Sequence, residues 1–344
     1  MRVVEMDEAD YEQLVVQSQS STVYLSSAFL RVLKDVLADS RLTILGLEVR
    51  GRFKGGIPCF IKETEDGSVL NSLPFHGSQG GCIFEGEASA EEKAALLTGM
   101  TELADSERCV SSTVISSPFS DDSFYSASMR TNYTLDRVAQ VLSLPDAPAG
   151  VLALFDRKCR NSVRRARTAG VEVEWDASLS ALKEVEEGNR RVMEALGAVP
   201  SPSSFFEAVS RRFRPGEGFR VYRGRRQDET VGLLLVIYHG QTAEYLVPVV
   251  HPESRKYSPM NLMVHEAASD AVASGFKRFS FGGTRPGQSE LHHFKESFGA
   301  VDHRYHYFTR ASPGLERVMA MGEAGVRSRF PWYFVAPFPA ASAL

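Results

Sequence analysis

Glu244 and His251 are of the residue types that move protons, and they stand close together in this 344-residue chain. Glu244 interrupts the apolar run from Thr242 to Val250, and His251 follows that run directly. A carboxylate or an imidazole placed there could act as a general base, so both are candidate bases. Lys295 offers a cation within Phe294-Lys295-Glu296-Ser297-Phe298-Gly299-Ala300. By residue type alone it reads as a solvated helix lysine beside core phenylalanines. His292 and His293 precede it, and spacing does not separate ligand, base and surface residue. No HxxxH pair or carboxylate set argues for a metal. Arg157, Lys158, Arg160, Arg164, Arg165 and Arg167 place six cations in eleven residues. Cys159, Val163 and Ala166 make a narrow apolar stripe at helical spacing, so the cations cover the other faces. That pattern fits a solvated face or a contact with phosphates, and phosphate binding would be strongly salt-dependent.

These side chains need elements to hold them. Pro248 cannot donate to a strand ladder, so it predicts an edge, a bulge or a splayed strand. The turn from His251 to Ser258 leads to a helix starting near Pro259. Its first N–H groups are open to an anion or a carbonyl oxygen, or the segment is a plain turn with a capping serine. Arg255, Tyr257 and Ser258 lie in that turn. A hairpin from Phe219 to Tyr238 precedes it. A strand ending Phe281-Gly282-Gly283 and a helix from Ser289 follow, joined by a loop carrying Arg285 and Gln288. The basic segment reads as a helix from Asp156 to Ala169, with Asp156 as N-cap and Gly170 beyond its end.

The first half reads as a helix near Ser26-Ser27, a hairpin across Arg50-Gly51-Arg52, a short strand and a glycine-rich loop. A helix from Ala90 to Ala104, capped by Ser89, and strands near 109–117 and 135–144 complete it. In the loop, His76, Gly77, Gly80 and Gly81 hold a ligand or serve the turn alone. Two prolines and a glycine between Pro145 and Gly150 break regular structure and predict a boundary. The halves also rhyme. Gly51 and Gly224 sit in similar hairpins 173 positions apart, and Pro74 and Pro248 follow at an offset of 174. Two near-equal offsets suggest a duplicated module.

Composition sets bounds. Apolar residues make up 43% and charged residues 24%, enough for a substantial core. A net charge of −4 makes no bulk demand for nucleic acid or an anionic membrane. Cys59, Cys82, Cys109 and Cys159 are too widely spaced for a zinc or redox pair, so reduced thiols are expected. The acidic N-terminus does not read as a signal peptide, and no apolar run approaches a bilayer span. The expected location is therefore cytoplasmic.

The order hairpin, splayed strand, turn, helix, strand, helix resembles the GNAT acyltransferase fold. Phe281-Gly282-Gly283-Thr284 followed by Phe294-Lys295 and Phe298-Gly299 is similar to its Fem-type branch and to the BioF2-like acetyltransferases. The basic helix with its following strand, and Leu73-Pro74-Phe75 with the paired glycines Gly80-Gly81, agree with that branch. The resemblance implies an α/β protein with mixed sheets and two tandem GNAT-like domains. Residues 1–148 form the first, on the acceptor side, and residues 149–312 the second, with the reaction centre. Residues 313–344 form a tail packing on the first. Fem-type proteins transfer amino acids from aminoacyl-tRNA to peptidoglycan precursors.

By the same resemblance Lys295 stabilises charge during acyl transfer. An ester attacked by an amine passes through an oxyanion, where one fixed donor is worth roughly 3–4 kcal/mol. Glu244 and His251 are then the candidate bases, with water as the alternative. Phe294, Tyr257, Arg285, Arg255, Ser258, His76, Gly80 and Gly81 are the expected substrate contacts, and Arg160, Arg164, Arg165 and Arg167 the expected phosphate or tRNA contacts. Two departures shape the reading. The stretch Arg255 to Met260 lacks the spaced glycines with which GNAT enzymes cradle pyrophosphate, and Pro259 removes a donor. That favours aminoacyl-tRNA over acyl-CoA, with no tightly bound cofactor. The coiled-coil arm of some Fem proteins is also not evident. The expected partners are a small-molecule or peptide acceptor and tRNA, with a peripheral membrane contact through the aromatic tail as an alternative. An acyl-CoA-dependent N-acetyltransferase of polysaccharide or natural-product synthesis is the rival enzyme. A duplicated scaffold that only binds its ligand is the non-enzymatic one.

Overall fold

A computed structural model describes residues 1–18, 21–75 and 78–338. The first half runs β1 (Arg2–Glu5), α1 (Glu8–Gln17), α2 (Ser27–Val36), β2 (Ser40–Val49), β3 (Arg52–Thr64), β4 (Gly67–Ser72), β5 (Ile83–Phe84), α3 (Ala90–Ser106), β6 (Cys109–Ile115), α4 (Ser123–Met129) and β7 (Tyr133–Ser143). The second runs α5 (Val151–Leu154), α6 (Arg157–Thr168), β8 (Val171–Asp176), α7 (Leu179–Ala195), α8 (Ser203–Arg212), β9 (Phe219–Arg226), β10 (Glu229–His239), β11 (Thr242–Val250), α9 (Pro259–Ala273), β12 (Arg278–Thr284), α10 (Ser289–Glu296) and β13 (Val301–Ala311). Two short helices, α11 (Leu315–Met319) and α12 (Gly322–Arg329), follow.

Two compact units result, Met1–Arg137 with Arg304–Leu344, and Val138–His303. Their bounds fall inside β7 and β13, whereas the sequence placed them at 148 and 312. The reason is strand pairing. Val138 to Ser143 of β7 pair with β12, and Tyr307 to Ala311 of β13 pair with β6. A strand counts with the sheet whose ladder it joins, wherever the linker lies.

The units share one plan. The first sheet has the order β1-β2-β3-β4-β6-β13, and the second β8-β9-β10-β11-β12-β7. In each, one described pair is parallel, β4 with β6 and β11 with β12, and a helix makes the crossover. The element order recurs, but the residues matched in the sequence do not coincide: Gly51 lies in the β2–β3 turn with φ +79°, whereas Gly224 lies inside β9, and Pro74 lies beyond β4, whereas Pro248 lies inside β11.

Local chemistry explains the helices. Ser89 accepts from the Glu92 amide at 3.2 Å, and the Glu92 carboxylate accepts from the Ser89 amide at 2.8 Å, a capping box that starts α3. Asp156 accepts from the Cys159 amide at 2.6 Å to start α6, and Gly170, at φ +76°, ends it. Cys159, Val163 and Ala166 turn inward and join a core with Met263, Val264 and Ala267 of α9 and Leu234, Val236 and Phe279 of the sheet. Each large side chain of that set contributes about 1.5–3 kcal/mol by leaving water. The four cysteines are buried and form no disulfide. Among the described residues no helix is long and apolar enough to cross a membrane.

The tail belongs to the first unit. Leu315, Val318, Val326, Phe330 and Val335 pack with Val69 and Val110. Asn71, wholly buried, holds the chain at Phe334: its amide donates to the Phe334 carbonyl at 2.8 Å, and its oxygen accepts from the Phe334 N–H at 2.8 Å. Trp332 packs on Phe75 and Phe334 on Tyr307, so these aromatic groups are engaged within the unit. Asn71→Ala removes both bonds and leaves two backbone groups unpaired. We expect it to lower the unfolding free energy by about 2–3 kcal/mol in urea titrations. A change below about 0.5 kcal/mol would show that the tail is not held this way.

Candidate active site

The second unit's sheet opens at one place. β11 and β12 pair only from Thr242 to Glu244, against Arg278 to Ser280. Beyond Glu244, β11 stays with β10, through a register shift between Leu235 and Val236, and Pro248 faces Leu234. β12 turns away. Its register with β7 slips between Ser280 and Gly283, so Phe281 and Gly282 together oppose Gln140. This is a β-bulge, and Gly282 accommodates it with φ +66°. The expected splayed strand and the expected glycine-rich strand end are thus one feature.

Polar side chains fill the opening. Glu244 is 4% exposed and Lys295 3% exposed. The Lys295 Nζ donates to the Gly283 carbonyl at 2.9 Å, to the Gly282 carbonyl at 3.3 Å and to Thr284 Oγ1 at 2.9 Å. Three donors meet three acceptors, so this is no solvated helix lysine. The bulge aims both carbonyls at it. Thr284 passes its hydroxyl hydrogen to Gln140 Oε1 at 3.0 Å, and Gln140 Nε2 donates to the His292 carbonyl at 3.0 Å. The chain of bonds ties β7, β12 and α10 together around one cation. Ser280 accepts from the Gly282 amide at 3.2 Å.

Glu244 supplies the opposing charge. A Cβ on residue 282 would lie 3.3 Å from Glu244 Oε1, so the bare glycine leaves room for the carboxylate. Burial pushes the Lys295 ammonium down to about 8, and the charge of Glu244 pulls it back up. The site therefore holds a buried cation and a buried carboxylate at the point where two strands part. Such a pair can meet an ester carbonyl and an incoming amine with complementary charge.

The other expected residues are distributed differently. His251 stands seven residues beyond Glu244, roughly 20 Å along the strand direction, so the two candidate bases do not meet. His251 lines instead a surface groove of about 400 Å³ with Lys183, Glu184, Glu187 and Arg191 of α7 and Thr230 of β10. Ser258 takes φ +56° just before α9, and its side chain makes no capping bond. Tyr257 has the Arg226 guanidinium 4.6 Å and the Lys256 ammonium 5.0 Å from its ring centre. Arg255 is exposed. Arg285 is exposed too, and its amide donates to Gln288 Oε1 at 3.0 Å. Phe294 packs edge-on against Phe298, which stacks on Phe281.

On α6, Arg160 bonds the Phe155 carbonyl and Arg167 pairs with Glu266 at 2.9 Å. Arg164 and Arg165 are exposed and bond neutral partners, Asn161 and Ser162.

His76 lies outside the described residues. Gly80 and Gly81 are buried. A Cβ on Gly80 would stand 2.1 Å from the Ser72 carbonyl, and one on Gly81 2.4 Å from the Tyr125 hydroxyl. Close packing alone accounts for both glycines. The Gly80 amide bonds the Ile115 carbonyl at 2.7 Å and the Gly81 amide bonds Ser72 Oγ at 3.0 Å. The loop thus crosses the ends of β4 and β6, at the first unit's counterpart of the opening.

Gln140, Ser280 and Thr284 escaped the sequence reading. Gln140 carries the one available signal, a buried amide within the apolar run from Val138 to Leu142.

Residues 155–296 match the acetyltransferase (GNAT) domain family. Among solved structures the fold is similar to that of FemX, at TM-score 0.70 and 13% identity, covering 90% of this chain and 97% of that one. It is similar to L-PGS from Bacillus licheniformis, at TM-score 0.56 and 12% identity, covering 94% and 98%. A tandem GNAT protein from the clavulanic acid biosynthesis pathway follows, at TM-score 0.53 and 14% identity, covering 90% and 98%. No curated protein matches the sequence. Residues 155–296 thus carry the likeness to the GNAT acetyltransferase domain, the fold is that of tandem GNAT proteins, and the protein is an acyltransferase.

The buried lysine yields a test. Its ordinary value is 10.5 and burial brings it to about 8. Between those values the unfolded chain binds more protons than the folded one, so the lysine's contribution to stability rises with pH across that window. Relative to Lys295→Met, the wild type should gain up to about 3 kcal/mol between pH 8 and pH 10.5 in paired urea titrations. A flat difference would mean that the lysine is not desolvated.

Proposed function

We propose that this acyltransferase moves an aminoacyl group from aminoacyl-tRNA to a free amine, such as that of a peptidoglycan precursor or related peptide, in the cytoplasm. The observation that carries this reading is the entrance to α9. The turn Pro252–Tyr257 leads through Ser258 in a left-handed conformation straight into Pro259. That turn has no glycine, and its first helical residue has no N–H. A pyrophosphate cradle needs bare backbone and several free donors. The exposed cations of α6 suit a polyanion that approaches from solvent. Among the described residues neither Arg164 nor Arg165 forms an ion pair, so no neighbouring carboxylate offsets their positive field. The Fem-type resemblance supplies the donor and acceptor classes.

In this reading the donor's ester carbonyl enters where β11 and β12 part. Lys295 holds the bulge in shape and sets a positive field at the developing oxyanion. Glu244 takes a proton from the acceptor's ammonium group, directly or through water; the free amine then attacks the ester carbon, and the ester C–O bond breaks as the terminal hydroxyl of the tRNA leaves with a proton.

A second reading rests on the family match, which is described as acetyltransferase. In it the donor is acetyl-CoA. Transfer assays with charged tRNA and with acetyl-CoA on the same amine separate the two. We expect label to move from charged tRNA. Transfer from acetyl-CoA with none from charged tRNA would overturn the proposal.

A further measurement probes α6. Binding of tRNA to Arg164→Ala/Arg165→Ala should fall, and the slope of log affinity against log salt should shrink by about two, because each phosphate contact adds nearly one. An unchanged slope would remove α6 from the interface.

A further inference from the structure

We propose that His292, His293 and Glu296 bind one divalent transition-metal ion of the zinc class. The two histidines each present a ring nitrogen and Glu296 a carboxylate oxygen, and these atoms lie within 4.8 Å of one another. Zinc holds imidazole nitrogen and carboxylate oxygen at about 2.0–2.2 Å, which brings three ligands to roughly 3.5 Å apart. His293 and Glu296 are exposed, so small rotamer changes close the remaining distance without disturbing the core.

A neighbouring carboxylate supports the site. Asp302 places its two oxygens 3.0 and 3.1 Å from His292 Nε2. An imidazole that donates its Nε2 hydrogen to a carboxylate keeps the lone pair on Nδ1 and becomes a stronger ligand. Asp302 comes from β13 and the histidines from α10, so folding assembles the group from two elements. Glu296 has a further reason to want a cation. It ends α10, where the helix carbonyls already make a negative pole, and among the described residues its hydrogen-bond partner is His293, at 3.2 Å. Two imidazoles with one carboxylate select zinc, cobalt, nickel or copper over magnesium and calcium, which prefer oxygen alone. Solvent completes the coordination.

The sequence shows no HxxxH pair or carboxylate set, and from it no metal is expected. Here the spacing is His-His-x-x-Glu, which puts Glu296 one turn beyond both histidines. The position carries a consequence. The clamped turn contains Lys295, and the His292 carbonyl receives the bond from Gln140. A bound ion therefore stiffens the backbone on which the buried lysine stands. The inference does not depend on which acyl donor the enzyme uses.

The test uses the full chain, treated with chelator and dialysed. Zinc chloride is titrated calorimetrically, with magnesium as competitor. We expect one equivalent to bind, with no displacement by magnesium. His293→Ala and Glu296→Gln should each weaken zinc at least tenfold, and Asp302→Asn by about tenfold, the range for lost orienting partners. His251→Ala should bind as the wild type does. Circular dichroism checks that each variant is folded. The proposal is overturned by no saturable binding at roughly 100 µM zinc. It is equally overturned by unchanged affinity in folded His293→Ala/Glu296→Gln, or by loss of binding in His251→Ala.

Discussion

The parallel ladder between β11 and β12 stops at Glu244, and the architecture of the site follows from that stop. A longer ladder would satisfy more backbone groups. Instead β12 bulges at Phe281-Gly282, and the carbonyls of Gly282 and Gly283 lose their place in a regular sheet. Carbonyls turned out of a ladder take other donors. Lys295 provides them, and Thr284 and Gln140 complete the connection back to β7 and α10. The bulge and the lysine thus require one another.

This arrangement is costly for stability. A buried ammonium and a buried carboxylate lose several kcal/mol of hydration each, and their attraction offsets that only with good geometry and further hydrogen bonds. A hydrophobic pair of similar volume would hold the helix at least as well. What the charged pair supplies is a fixed field in a site shielded from water, which is useful where charge develops during acyl transfer. Burial lowers the Lys295 ammonium, and the charge of Glu244 acts against that lowering.

The two modules share element order and sheet topology but differ at this point. In the first, the loop Gly80 to Cys82 lies across the ends of β4 and β6, bonded to Ile115, Ser72 and the Tyr125 hydroxyl. In the second, β11 runs on for six residues past its last pairing with β12, from Tyr245 to Val250. The shared plan is the one a duplicated module produces. The glycine-rich loop of one half and the glycine-bearing bulge of the other explain why the halves are not equivalent.

Much was legible in the chain itself. Period and caps located α3 and α6, because local hydrogen bonds and an apolar stripe depend on neighbours in sequence. Pro248 and the Gly282-Gly283 pair marked the opening, because each forbids a regular ladder or permits an irregular one. Lys295 was singled out for the residues around it. Its burial was not visible, because that depends on a bulge in one strand and a helix thirteen residues on. Gln140 was missed, since its partners lie some 150 positions away in the chain. The separation of His251 from Glu244 and the unit bounds inside β7 and β13 were equally out of reach. Strand pairing across distant segments settles both, and no local pattern encodes which ladder a strand will join.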